Sequence, residues 1–112
     1  MSSRDTIDGK TAAETILSTI IEQVANFPSD SAHHARSAVM SINRMVVDKL
    51  FQPSDKSYHH RVLDVSLLCN TRSQKPYIDK YEQQVYKTAA VTALDYYEAV
   101  MYHENMEAPL PF

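Results

Sequence analysis

The chain has 112 residues, 44% of them hydrophobic, with one Gly, one Cys, no Trp and a net charge of −3. That length is one domain with one modest core, a lone cysteine forms no internal disulfide and fits a reducing compartment, and a net negative chain gains little from nucleic acid through bulk charge. A single glycine leaves few positions for cheap positive φ, which argues against hairpin turns, phosphate-cradling glycine loops and dinucleotide-binding units together.

The fold class that remains is all-α. The composition and spacing predict a small four-helix bundle with a long C-terminal helix. Residues 1–10 read as a flexible N-terminus, 11–107 as a single helical domain and 108–112 as an extended C-terminal tail. The polar opening MSSRDTIDGK lacks the apolar core of a secretory signal. No apolar run approaches the roughly 18–20 residues a membrane span needs. A cytoplasmic setting is therefore expected.

Thr11 and Glu14 have the Thr-x-x-Glu spacing of a capping box, and Ile16, Leu17, Ile20, Val24 and Phe27 follow at helical intervals. A first helix is expected from about 11 to 26, stopped by Pro28. The phrase PSDSAHHAR at 28–36 returns as PSDKSYHHR at 53–61. Each copy reads as punctuation: proline ends one helix, and Ser or Asp caps the next. The second helix carries Ala35, Ala38, Val39, Ile42, Met45, Val46 and Leu50 on one stripe and runs to Phe51-Gln52. The third carries Tyr58, Val62, Val65, Leu68 and Cys69, with Leu63 and Leu67 on a second edge, and ends at Asn70–Ser73. Pro76 is expected at the first position of the fourth helix, which reaches about residue 105, roughly 45 Å at the helical rise.

The fourth helix holds six of the seven tyrosines, and its middle, AAVTALDYYEAVMY, is apolar nearly all round. Three shorter helices do not cover such a surface easily, so the alanines invite a second copy of the chain. The expected interface is Tyr86, Ala90, Ala93, Leu94, Tyr97 and Met101. The charge is also uneven: residues 36–87 hold nine Lys/Arg against five Asp/Glu, and no Lys or Arg follows Lys87.

Candidate chemistry is sparse. Asp30/His34, Asp55/His59 and His60/Asp64 have the i,i+4 spacing that can share a metal. They lack a His-Glu-x-x-His or Cys/His ligand set, so neither metal nor cofactor is expected. Cys69 falls on an apolar face, where a cysteine behaves as a small hydrophobe. The turn NTRSQKP suggests an anion site built from Arg61, Arg72, Ser73, Lys75 and Tyr77 at the start of the fourth helix. No catalytic motif is recognisable. The leading expectation is a non-enzymatic, regulatory or accessory homo-oligomer, dimeric or higher, that binds a protein partner. The alternative is a protein that binds or sequesters a nucleotide or other small anion at a subunit interface.

Overall fold

The computed structural model describes the backbone of residues 3–52 and 55–107 and the side chains of residues 10–52, 55–58 and 60–99. The described residues form four α-helices: α1 (Ser3–Ala25), α2 (Ser29–Val46), α3 (Tyr58–Ser73) and α4 (Lys80–Glu107). A π-turn over Val47–Phe51 prolongs α2. Among the described residues there is no strand, so the all-α bundle with a long last helix is the architecture.

The spacing of apolar residues accounts for which faces meet. Ala12, Ala13, Ile16 and Ile20 of α1 are buried, as are Ala35, Ala38, Ile42, Met45 and Val46 of α2. Val62, Val65 and Cys69 of α3 and Val85, Ala89, Ala90 and Ala93 of α4 complete the core. Helix α4 packs against all three others. Phe27, just past α1, meets Tyr81 in the first turn of α4 edge to face, at 4.9 Å between ring centroids. Helices α3 and α4 are antiparallel: Ser66 Oγ donates to Ala90 O (2.7 Å), and Gln83 Nε2 donates to Ser73 O (2.8 Å). The two bonds are seven residues apart on each helix, which fixes the register.

Several boundaries differ from the sequence reading. Helix α1 begins at Ser3, so Thr11 and Glu14 stand inside it rather than at its start. Glu14 instead faces exposed Lys10 one turn earlier, at 3.9 Å. Helix α2 has Pro28 itself as N-cap, with no side-chain cap. The Pro28 carbonyl accepts from the N–H groups of Ser31 and Ala32 (2.9 and 3.0 Å). Ser29 and Asp30 therefore enter the first turn, where the Asp30 carboxylate complements the helix dipole. In the second phrase, Pro53 and Ser54 lie outside the described residues, and Ser57 is the N-cap. Its Oγ contacts His60 Nδ1 (3.0 Å).

Helix α4 starts at Lys80, one turn after Pro76. Asp79 Oδ2 accepts from the N–H groups of Tyr81 (2.8 Å) and Glu82 (3.4 Å). That carboxylate satisfies two orphan donors, which the proline preference for a first turn cannot do. The tail at 108–112 lies outside the described residues.

Candidate partner-binding groove

Helices α2 and α3 also run antiparallel, but they close only at their floor. There Cys69 Sγ lies 3.7 Å from Met45 Sδ. Burial pushes the Cys69 thiol up to about 12, against a smaller opposing pull from Arg72. The thiol is protonated at neutral pH and packs as a hydrophobe.

Above that floor the two helices leave an open groove of about 810 Å³. The α2 wall presents His33, Ser37, Met40, Ser41, Arg44 and Asp48, which share one outer face at intervals of three and four residues. Arg36 and Lys49 flank it, and α3 contributes Leu68 and Arg72. Met40 is 69% exposed and Leu68 38% exposed, so the groove offers apolar contact as well as charge. Arg36, Arg44, Lys49 and Arg72 stand against one carboxylate, Asp48. The Arg72 guanidinium bridges the walls by donating to Ser41 Oγ.

The π-turn sets the far end of the groove. Arg61 Nη1 donates to Gln52 O (3.0 Å) and reaches Lys49 O at 3.5 Å. Its guanidinium also sits 4.1 Å from the Tyr58 ring centroid. Arg61 thus satisfies carbonyls that a widened last turn leaves over. Its Nε is buried and finds no acceptor among the described residues.

The anion cluster expected from the sequence does not assemble as one site. Arg61 and Arg72 lie three turns apart on α3, roughly 16 Å along its axis. Arg61 is committed to the π-turn, and Ser73 is fully buried with its Oγ on Asn70 O (2.7 Å). Arg72 and Ser73 end α3 rather than begin α4, and the Asp79 carboxylate occupies the N-terminus where an anion was expected. Arg72, Lys75 and Tyr77 do come together at a smaller recess of about 400 Å³, beside Ile78, Glu82 and Tyr86.

The expected self-association face is likewise redistributed. Ala93 is fully buried, and Tyr86 and Ala90 nearly so, within the bundle of the same chain, where Ser66 of α3 bonds the Ala90 carbonyl. Leu94 stays exposed, Tyr97 is half-buried, and the side chain of Met101 lies outside the described residues. The Asp/His pairs do not converge either. The first turn of α2 lies beside Phe27 and the start of α4, whereas the first turn of α3 lies beside the end of the π-turn. The two histidine phrases are thus at opposite ends of the bundle, roughly 30 Å apart by the helical rise. Asp64 pairs with Lys56 at 2.9 Å, and the His59 side chain is not described. Among the described residues no cluster of three His, Cys, Asp or Glu side chains could hold a metal.

Sequence reasoning missed the outer face of α2. Its signal was Met40 standing between Arg36 and Arg44 on a face otherwise polar. Among the described residues no helix is long and apolar enough to cross a membrane. Comparison with protein-family models, curated proteins and solved structures gives no match for this chain.

Proposed function

We propose that the chain is a non-enzymatic helical interaction protein that works as a homo-oligomer and holds an acidic amphipathic helix of a protein partner in the α2–α3 groove. One observation carries this reading: four cations and one carboxylate surround the exposed Met40 and Leu68. An acidic helix lays its apolar stripe into such a groove while its carboxylates meet the cationic walls. Flexible methionine side chains adapt to the shape that arrives.

The test uses a fluorescent amphipathic peptide with leucines at i, i+3, i+4 and i+7, flanked by glutamates, and its counterpart flanked by lysines. The acidic peptide binds in the micromolar range and the basic one does not. Arg36→Glu/Arg44→Glu reverses the preference. Equal binding of both peptides, or an unchanged preference in the variant, defeats the proposal.

A second reading takes a small anion at the recess of Arg72, Lys75 and Tyr77, favoured by two cations beside an exposed aromatic ring. Glu82 at the same recess opposes it. Titration with inorganic pyrophosphate decides it: binding that disappears in Arg72→Ala/Lys75→Ala supports this reading, and no binding ends it.

A further inference from the structure

The outward face of α4 carries a stripe that the bundle does not use. Lys80, Gln84, Lys87, Val91, Leu94 and Glu98 are all exposed. Their spacing alternates four and three residues, the heptad interval of a helix that packs along a partner helix. Val91 is 57% exposed at the middle of the stripe, and Leu94 lies one turn on. The α3–α4 register sets Leu63 level with Ala93, in the turn of α4 that carries Val91 and Leu94, and Leu67 level with Ala89, just before it. Leu67 is 55% exposed, so the apolar centre is wider than one helix.

The order of charges identifies the occupant. Lys80 and Lys87 precede the apolar centre, and Asp95 and Glu98 follow it. Among the described residues, neither Lys87 nor Glu98 is in an ion pair. Lys87 has Gln83 and Val91 one turn away, and Glu98 has Leu94, so neither is neutralised along its own helix. A stripe that is basic at one end, acidic at the other and apolar between is complementary to itself after a half-turn rotation. A two-fold axis crossing α4 between Val91 and Leu94 brings Val91 onto Leu94 of a second copy and Lys87 onto Glu98. A parallel pairing would set Lys87 against Lys87 and Glu98 against Glu98.

We infer that the chain forms an isologous dimer through antiparallel α4 helices, centred on Val91 and Leu94 and held in register by Lys87–Glu98 pairs. This rests on the homo-oligomer part of the proposed function and names its surface. It leaves the groove free: Leu67 and Leu68 are successive residues, so they point about 100° apart on α3, one towards the dimer seam and the other into the groove.

Sedimentation equilibrium of the full chain between about 1 and 100 μM at low salt tests it. The wild type is a dimer. Lys87→Glu and Glu98→Lys each weaken dimerisation about tenfold, since each converts two symmetry-related attractions into repulsions. Mixing those two variants restores both pairs, and so does Lys87→Glu/Glu98→Lys in one chain. Val91→Asp gives a monomer with unchanged helical circular dichroism. A wild type that stays monomeric at about 100 μM overturns both this inference and the oligomer part of the reading beneath it. A wild-type dimer indifferent to Val91→Asp and to both charge reversals overturns the α4 interface alone.

Discussion

Helix α3 meets α4 and α2 in opposite ways. Against α4, whose Ala89, Ala90 and Ala93 are all buried, its Ser66 approaches closely enough to hydrogen-bond the Ala90 carbonyl at 2.7 Å. Against α2 it finds Met45 at the floor and a crowd of arginines above. Small residues let two backbones close on each other. Long cationic side chains cannot be buried together, because each charge would lose its water without gaining a counter-charge. The α3–α4 seam is therefore core, and the α2–α3 seam opens into a groove. Side-chain size and charge decide this, since both seams lie on the same sixteen-residue helix.

The most damaging way to break this contrast is to overfill the closed seam. Ala93→Leu adds three carbons where the native side chain is fully buried. Overpacking of that kind costs about 1–3 kcal/mol, read as a lower midpoint in thermal denaturation followed by circular dichroism. Met40→Leu in the open seam leaves the midpoint within error, because Met40 is 69% exposed. Equal effects at the two positions would show that the seams do not differ as described.

A smaller effect separates the floor of the groove from its walls. The Cys69 thiol titrates near 9 in an unfolded chain and at about 12 in the folded one. The folded state favours the protonated form, so this contribution is complete below about pH 9 and is lost as pH rises towards 12. Between pH 9 and 10 the loss amounts to about 1 kcal/mol. Urea unfolding at pH 8, 9 and 10 is expected to give a steeper loss of stability in the wild type than in Cys69→Ala. Parallel pH profiles would place the thiol in contact with water.

Smaller or comparable is the loss from Ser66→Ala. It removes the bond to Ala90 O while the helical partner of that carbonyl remains, costing about 1 kcal/mol. Chemical denaturation measures it, and no change would mean the register rests on shape alone.

The core was legible where one helix supplies its own period. The α2 stripe from Ala35 to Leu50 is an example: five of its members are fully buried and Met45 nearly so. The α3 stripe was also legible at Val62, Val65 and Cys69, whereas Tyr58 is half-buried and the groove exposes Leu68. What failed depended on choices between neighbours. Ala90 and Ala93 invite close approach, but nothing in their spacing says whether α3 of the same chain or a second copy takes the invitation. Pro76 and Asp79 both signal a helix start, and the two hydrogen bonds made by Asp79 decide between them. Arg61 and Arg72 look alike in sequence, yet one satisfies the π-turn and the other bridges the groove. The groove itself was hidden because charged residues on an outer face read as ordinary solvated surface.

That ambiguity supplies the last prediction, which concerns a change with almost no structural cost. Arg44 and Met40 are exposed, Arg44 is in no ion pair among the described residues, and neither contributes to the core. Arg44→Ala/Met40→Ala should therefore alter unfolding free energy by about 0.5 kcal/mol or less, the usual range for surface positions away from special contacts. If these residues were only solvated surface, binding of the acidic helical peptide would be as indifferent as stability. If they line a working groove, affinity falls about tenfold or more, because truncation removes a charge contact and an apolar contact together. Stability and affinity measured on the same preparation separate the two cases. A shift in both would mean that the groove wall supports the fold after all, and that the open seam is less independent of the core than its exposure suggests.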